Sequence, residues 1–264
     1  MMVKLIAADM DGTLLDSNKQ LSPRLFPLLK TLHQKGVRFA VASGRQYYTL
    51  LEQFQEIQDQ ITFISENGAM VMEKGVSLYL DRIDPQSVAR HVEMIRNISG
   101  AYPVLCGAKS AYYENSDPIF LDNFEMYYAR TQKLDDVLDA LHEDTIFKIA
   151  VFDEKGAEGN TYVKLQQSGE GLEVILSGLY WVDLMNPGVN KGKALTTLQK
   201  AYGISPEETM AFGDYLNDVE MMEACFHSYA MANAHPKLKD LCRFEAASND
   251  EDGVVQAIAD YFKL

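Results

Sequence analysis

The chain has 264 residues, of which 47% are hydrophobic and 23% charged, and this balance excludes a largely disordered protein. The net charge of −14 argues against a nucleic-acid backbone or an anionic membrane as the main partner. The three cysteines are widely spaced without a zinc-binding pattern and no apolar run has transmembrane length, so we expect free thiols and a cytoplasmic protein.

The first third of the chain alternates apolar runs with helical patterns. The predicted strands are Val3–Ala8, Val37–Ala42 and Ile61–Ile64. Between them, leucines at helical spacing predict a helix that opens at Ser22-Pro23 and ends at Gly36, and a second helix is predicted over Tyr48–Ile57. This alternation indicates a doubly wound parallel sheet.

From about Asp81 the pattern changes to helices and strands that are grouped rather than alternating. The predicted helices are Pro85–Ile98 and Asn160–Gln167, and the predicted strands are Tyr102–Leu105, Ser110–Tyr113, Phe147–Phe152, Leu172–Ser177 and Tyr180–Leu184. Acidic residues 135–144 are typical of a solvated helix face. The core of this segment is predicted to include Phe120, Phe124, Tyr127 and Tyr128. We predict an α+β unit with an antiparallel sheet.

After Asn186-Pro187-Gly188 the strand and helix alternation resumes. The predicted elements are a helix over Lys193–Tyr202, strands over Thr209–Phe212 and Phe226–Met231, and a closing helix over Gly253–Phe262. The prediction is therefore an α/β protein whose three-layer, doubly wound core comprises residues 1–80 and 185–264. Residues 81–184 are predicted to form an inserted α+β cap.

Acidic residues follow two of the predicted strands. Asp9 and Asp11 come at the end of the first strand, and Gly12 allows the chain to turn sharply there. Two carboxylates at this spacing suit a metal ion together with an acid/base pair. The segment Gly213–Asp218 supplies a second acidic cluster. Because ligands of open α/β sheets bind beyond the carboxyl ends of strands, we expect both clusters to meet in one crevice.

Two further segments offer groups that bind phosphate. Ser43-Gly44-Arg45 provides a hydroxyl and backbone N–H groups, although Ser43 is also compatible with a helix N-cap. Lys191, predicted to lie just before a helix, provides a positive charge. With the acidic clusters, these segments supply a nucleophile, cation ligands and a positive clamp, which are the groups that phosphoryl transfer requires.

The order of DMDGT, SGR, NKG and GDYLND resembles that of the haloacid dehalogenase (HAD) superfamily of phosphatases. Segments Ser65–Ala69, Asn233–Pro236 and Ser248–Gly253 resemble its Cof-type branch in particular. The resemblance extends over the whole chain and implies a HAD-like core with a cap. The pair Tyr215-Leu216 departs from the small or acidic residues frequent inside the GDxxND motif.

The resemblance also implies roles for individual residues. Asp9 is expected to attack phosphorus and form an aspartyl-phosphate, while Asp11 acts as general acid and then general base. Mg²⁺ is expected to be bound by Asp9, Asp11 through its backbone carbonyl, Asp214 and Asp218. The phosphate of the substrate is expected to contact Ser43, Gly44, Arg45, Lys191 and Asn217.

The acid at Asp11 favours a phosphatase over a dehalogenase, because an ester oxygen needs a proton on departure and a halide does not. We therefore predict Mg²⁺-dependent hydrolysis of small phosphorylated metabolites, such as sugar phosphates, with the cap closing over the substrate. A phosphomutase or phosphotransferase on the same core, and a non-catalytic phosphometabolite sensor, stay open as alternatives. The sequence indicates no particular oligomeric state.

Overall fold

The computed structural model describes residues 2–169 and 171–264, which divide into two compact units. Unit 1 comprises residues 2–79 and 190–264, and unit 2 comprises residues 80–189. The predicted boundaries followed residues 80 and 184, whereas the units divide after Tyr79 and after Val189. Met1 of the predicted core and Glu170 of the predicted cap lie outside the described residues.

The described residues form short strands and helices along the whole chain. The strands are β1 (Leu5–Asp9), β2 (Arg38–Ala42), β3 (Thr62–Ser65), β4 (Met70–Glu73), β5 (Val76–Leu80), β6 (Ala101–Gly107), β7 (Ala111–Tyr113), β8 (Thr131–Lys133), β9 (Ile146–Asp153), β10 (Glu173–Gly178), β11 (Trp181–Met185), β12 (Thr209–Gly213), β13 (His227–Met231) and β14 (Phe244–Ala246). The α-helices are α1 (Leu25–Gln34), α2 (Tyr47–Gln53), α3 (Pro85–Arg96), α4 (Pro118–Phe124), α5 (Val163–Ser168), α6 (Lys191–Tyr202), α7 (Val219–Glu223), α8 (Pro236–Leu241) and α9 (Gly253–Phe262).

Unit 1 is built on an eight-stranded sheet in the order β14-β13-β12-β1-β2-β3-β4-β5. Strand β1 lies at its centre and pairs in parallel with both β2 and β12, while β4 runs antiparallel to its neighbour β3. All five residues of β1 are buried, as expected for a strand covered on both faces of a parallel sheet. Helix α1 packs on α9, and α6 packs on α7. The predicted doubly wound α/β fold is confirmed.

Unit 2 is built on a six-stranded sheet in the order β10-β11-β9-β6-β7-β8. Its pairs are antiparallel, as predicted, except that β7 and β8 run parallel. Helix α3 buries Val88, Val92 and Ile95 in a core shared with Ile149 and Val151 of β9. A second group of buried aromatic side chains comprises Phe120, Phe124 and Tyr128, whereas Tyr127 is 53% exposed, so its predicted place in the core is wrong.

The sequence patterns misplaced several element ends and missed the shortest elements. Helix α1 begins at Leu25 rather than beside Ser22-Pro23, and the predicted helix over Tyr48–Ile57 divides into α2 and a 3₁₀ helix, Gln55–Gln60. The acidic residues 135–144 include a 3₁₀ helix, Val137–His142, rather than an α-helix. The elements without a prediction are β4, β5, β8, β14, α7 and α8. Strands β8 and β14 have three residues each, and β5 is exposed or half-buried along its length, so no continuous apolar run marks these strands.

The cysteines and the helices bear on two further predictions. Cys106, Cys225 and Cys242 are thiols that form no disulfide among the described residues, as predicted. Among the residues that the structure describes, no helix has both the length and the apolar character needed to cross a membrane.

Candidate active site

Two neighbouring strands bring the acidic motifs together. Asp9 is the last residue of β1, Asp214 directly follows β12, and these strands pair in parallel, so both residues leave the sheet at the same edge. Asp9, Asp214 and Asp218 each offer a carboxylate oxygen, and these oxygens lie within 4.8 Å of one another. The two acidic segments predicted to converge therefore meet in unit 1.

Lys191 lies at the centre of this acidic group. It is the first residue of α6 rather than a residue before the helix, because Asn190 provides the N-cap by accepting from the Lys193 N–H. The Lys191 side chain is fully buried, and its Nζ donates to Asp9 Oδ1 at 2.5 Å and to Asp218 Oδ1 at 2.7 Å. Burial alone would lower the pKa of Lys191, but the two carboxylates outweigh burial and raise this pKa.

Asp218 closes the loop that follows β12. Its second oxygen, Oδ2, accepts from the backbone N–H groups of Asp214 at 3.1 Å and Tyr215 at 3.3 Å. Both oxygens of Asp218 therefore have partners within unit 1, and its side chain is completely buried. Asp9 and Asp214 are thus better placed than Asp218 to offer free lone pairs to an ion.

Three carboxylates surround a single ammonium group, which leaves an excess of negative charge. Burial raises the pKa of Asp9 from 3.8 to about 8, against the effect of Lys191 and with a further rise from Asp218. Burial and Asp218 together raise the pKa of Asp214 from 3.8 to about 6. A divalent cation would relieve this repulsion, and an all-oxygen donor set suits Mg²⁺. The residues present fit such an ion.

The Asp11 side chain has different hydrogen-bond partners from the three grouped carboxylates. Its Oδ2 accepts from Arg45 Nε at 2.8 Å, and its Oδ1 accepts from Arg45 Nη2 at 2.7 Å and Lys19 Nζ at 3.0 Å. Burial would raise the pKa of Asp11, but these hydrogen bonds and positive charges outweigh burial and lower it. Lys19 had no signal in the sequence, because a lysine in a polar turn is usually an exposed residue without a partner.

Gly12 and Thr13 connect this segment to Asp214. Gly12 has a φ of 82°, and a Cβ at this position would overlap the Asp214 carboxylate. Thr13 Oγ1 donates to Asp214 Oδ1 at 3.3 Å. Thr13 belongs to the DMDGT motif, but no role was predicted for it. Its position next to Gly12 was the one feature of the sequence that could have indicated a role.

Ser43 is buried in the loop after β2. Its Oγ accepts from the Arg45 N–H at 3.1 Å, so the hydroxyl stabilises the turn that carries the arginine. Helix α2 begins at Tyr47 and has Gln46 as its N-cap residue, so the alternative that Ser43 caps a helix is wrong.

Asn67 joins the serine loop to the second acidic segment. Its N–H donates to the Ser43 carbonyl at 2.9 Å, its side chain lies against Gly44, and its Oδ1 accepts from Asn217 Nδ2 at 3.3 Å. The backbone of Asn67 has a φ of 53°, which an asparagine tolerates better than most residues. Asn67 was quoted only as part of the segment Ser65–Ala69, and its position beside a glycine was the available signal.

Comparisons with known proteins agree with this geometry. The haloacid dehalogenase-like hydrolase family model matches residues 6–258. The Escherichia coli K12 5-amino-6-(5-phospho-D-ribitylamino)uracil phosphatase YbjI is 34% identical over 261 residues, covering 98% of this chain and 96% of that protein. The HMP-PP phosphatase of Cronobacter sakazakii is 32% identical, covering 90% of this chain and 87% of that protein.

A solved structure supports the same assignment over nearly the whole chain. The protein SMU.1108c from Streptococcus mutans UA159 superposes with a TM-score of 0.84 at 30% identity, covering 99% of this chain and 100% of that chain. The resemblance to Cof-type phosphatases is thereby confirmed. The chain belongs to the haloacid dehalogenase-like hydrolase family and is a phosphoric monoester hydrolase of that family.

Proposed function

We propose that the protein is a Mg²⁺-dependent phosphatase of small phosphorylated metabolites that works through an aspartyl-phosphate on Asp9. The observation that carries the proposal is the position of Asp9 at the end of a buried strand. There its carboxylate accepts from the Lys191 ammonium and lies within reach of an ion shared with Asp214. A nucleophile oriented by a fixed cation beside a metal site suits in-line attack on phosphorus.

The metal site uses carboxylates from both acidic segments. Asp9, Asp214 and the backbone carbonyl of Asp11 would hold Mg²⁺, with Asp218 as a further carboxylate of the site, and the ion would supply positive charge that offsets the charge of the phosphoryl group. Lys191 restrains Asp9 and contacts the phosphoryl oxygens, together with the Ser43 hydroxyl and the backbone of Gly44. Asn217 completes these contacts from the second acidic segment.

The reaction has two steps on the same phosphorus atom. In the first, a bond forms between an Asp9 oxygen and phosphorus, the bond from phosphorus to the ester oxygen breaks, and Asp11 gives its proton to that oxygen. In the second, Asp11 takes a proton from a water molecule that attacks phosphorus, and Asp9 and inorganic phosphate are released. Asp11 therefore gives up a proton in the first step and takes one in the second, because the second step is the reverse of the first with water in place of the alcohol.

The contacts of Asp11 constrain how the first step begins. A carboxylate held by Arg45 and Lys19 stays ionised, so Asp11 must exchange these partners before it can carry a proton. An incoming phosphate competes for the same cations because it bears more negative charge than the carboxylate. Arg45 then becomes a contact of the substrate phosphate, which is the role expected from the sequence.

The relatives support the proposed substrate class. The relatives that match over nearly all of this chain include two phosphatases named for 5-amino-6-(5-phospho-D-ribitylamino)uracil, at 34% and 26% identity. We propose that this chain also acts on small monoesters of that kind or on sugar phosphates. Residues 80–189 serve as the cap that selects the leaving group, and the cytoplasmic location stays a prediction.

The test is the variant Asp9→Asn, measured by phosphate release in Mg²⁺ over a panel of phosphorylated sugars, nucleotides and vitamin precursors. Asp9→Asn should abolish turnover and leave the circular dichroism spectrum unchanged, while Asp59→Asn, at an exposed acid of unit 1, should keep full activity. Rapid acid quenching of the wild-type reaction should yield a phosphorylated peptide containing Asp9. Retained turnover in Asp9→Asn would rule out the nucleophile.

A further inference from the structure

Two segments that the reaction does not use lie against the turn that follows the nucleophile. These segments are Asn233–Pro236 and Ser248–Gly253, and the turn, residues 11–21, is called the Asp11 loop below. Both segments were singled out in the sequence, and neither contributes a group to the metal site or the phosphate contacts. Their contacts with the Asp11 loop give them a role.

Two asparagine side chains bind carbonyl oxygens of the Asp11 loop in series. Asn233 Nδ2 donates to the Gly12 carbonyl at 2.8 Å, and Asn233 Oδ1 accepts from the Asn249 N–H at 3.1 Å. Asn249 Nδ2 in turn donates to the Leu15 carbonyl at 2.9 Å. One of the two bound carbonyls belongs to the residue directly after Asp11.

The start of the Asp11 loop also bonds back to the end of the strand before it. The N–H groups of Leu14 and Leu15 donate to the Met10 carbonyl at 3.0 and 2.9 Å. The outer part of the loop is held by Asp250, which accepts from the Ser17 N–H at 2.7 Å and the Ser17 hydroxyl at 2.6 Å. The two C-terminal segments therefore hold the loop at three successive points.

The first of these segments also contacts the second acidic cluster. The His235 N–H donates to the Asp214 carbonyl at 2.8 Å. Residues 233–235 thus bind Gly12 on one side and Asp214 on the other. This arrangement fixes the backbone beside the general acid relative to the backbone of a metal ligand.

We propose that Asn233 and Asn249 are positioning residues that place Asp11 where its carboxylate can pass a proton to the departing ester oxygen. The inference rests on the proposed function, because it assumes that Asp11 is the general acid. Proton transfer requires the acid within hydrogen-bonding distance of the leaving oxygen, so a loop displaced by about 1 Å would slow this transfer. Neither asparagine touches the substrate in this scheme.

The test compares esters that differ in how much they need the proton. A nitrophenolate leaves phosphorus with little protonation, whereas the alkoxide of glycerol phosphate needs a proton in order to leave. Asn233→Asp keeps the acceptor for the Asn249 N–H and replaces the donor to Gly12 with a second carboxylate oxygen. We expect kcat/KM for glycerol phosphate to fall by about 10–100-fold. We expect kcat/KM for p-nitrophenyl phosphate to fall less than about threefold, because kcat/KM reports the step in which the ester oxygen departs and not the later hydrolysis of the aspartyl-phosphate.

Two further variants make the comparison decisive. Asn249→Ala removes the donor to Leu15 and should give the same selective loss, so it decides the matter if Asn233→Asp does not fold. Asn18→Asp introduces the same chemical change at an exposed asparagine of the Asp11 loop and should alter neither rate.

Asp11→Asn separates the two proposals. If Asp11→Asn lowers kcat/KM for both esters equally, the general-acid assignment is wrong and this step of the proposed function fails. If Asp11→Asn loses activity selectively, while Asn233→Asp and Asn249→Ala lose none or lose both rates equally, only the positioning role is overturned.

Discussion

The Nζ atom of Lys191 lies 2.5 Å from Oδ1 of Asp9, and the lysine side chain is completely buried. The same ammonium group donates to Asp218 at 2.7 Å, so one cation contacts the proposed nucleophile and holds the loop after β12. The proposed nucleophile is therefore oriented by a contact within the fold.

Replacing Lys191 with methionine should destabilise the protein as well as inactivate it. Methionine has a similar length but leaves Asp9 and Asp218 buried without their common partner. We expect the free energy of unfolding, measured by urea denaturation in the presence of a chelator, to fall by about 3–5 kcal/mol. Mg²⁺ should restore part of this loss, because the ion neutralises the same carboxylates.

The matched control for this variant is Lys200→Met, at an exposed lysine of the same helix. It should change the free energy of unfolding by no more than about 0.5 kcal/mol. A loss below about 1 kcal/mol for Lys191→Met would contradict the view that the buried ammonium is required by its two carboxylates.

A pair of glycine substitutions tests the approach of the Asp11 loop to Asp214. Gly12 and Gly36 have similar φ angles of 82° and 77°, but a Cβ at Gly12 would overlap the Asp214 carboxylate, while one at Gly36 meets nothing within 4 Å. Gly36→Ala should cost about 1–2 kcal/mol of stability from backbone strain and leave kcat unchanged. Gly12→Ala should carry the same strain and, in addition, lower kcat by at least about a hundredfold.

Mg²⁺ affinity is the second measurement on these glycine variants. Gly12→Ala should bind the ion at least about tenfold more weakly than the wild type, because the displaced carboxylate is a proposed ligand. Gly36→Ala should bind it as the wild type does. Equal kinetic and binding effects for the two variants would mean that strain alone, and not the contact with Asp214, explains the glycine at position 12.

The fold was predictable from sequence where a pattern was long enough to repeat. The buried strand at Leu5–Asp9 and the helix over Gly253–Phe262 were recognisable because continuous apolar runs and helical spacing reflect burial directly. The edge strand β5 was not, since Val76 and Leu78 are largely exposed and give no clear alternation. Its place in the sheet depends on pairing with a neighbour that local sequence does not encode.

The candidate site was predictable for the residues that stand at strand ends. Asp9 and Asp214 could be placed together because parallel neighbours finish at the same edge of a sheet. The partners of Asp11 could not be predicted, since Lys19 reaches it from a polar turn and Arg45 turns toward it rather than toward open space. Contacts of long flexible side chains depend on the folded surroundings more than on their spacing.

Removing the arginine partner of Asp11 should move the pH dependence of the reaction. Arg45→Met takes away two hydrogen bonds and a positive charge that lower the pKa of Asp11, so this pKa should rise. The general acid must be protonated, so the alkaline limb of kcat/KM for an alkyl phosphate should shift to higher pH. Lys19→Met removes one hydrogen bond and should give a smaller shift in the same direction.

The pH of the alkaline limb can be measured even if Arg45→Met also weakens substrate binding. Weaker binding lowers kcat/KM at every pH without displacing the limbs of the profile. A shift of the alkaline limb to lower pH would show that Arg45 does not lower the pKa of Asp11.

Metal binding should become tighter as the pH rises. Asp9 and Asp214 must be ionised to act as ligands, and burial raises their pKa values from 3.8 to about 8 and about 6. Between pH 6 and 8 the ion displaces one proton, so its affinity should rise by about tenfold per pH unit. Below pH 6 it displaces two protons and the slope should approach about a hundredfold per unit.

The stability of the metal-free protein should change in the opposite sense. Because the pKa of folded Asp9 lies above its unfolded value of 3.8, its contribution to stability is fully present below that pH and is lost as the pH rises through about 8. Mg²⁺ should therefore stabilise the protein most at alkaline pH. Calorimetric titration in buffers of different ionisation enthalpy counts the released protons, and Asp9→Asn should abolish the dependence between pH 6 and 8. An affinity in the wild type that stayed constant across this range would mean that Asp9 does not release a proton to bind the ion, because only a carboxylate already ionised at pH 6 gives a flat profile.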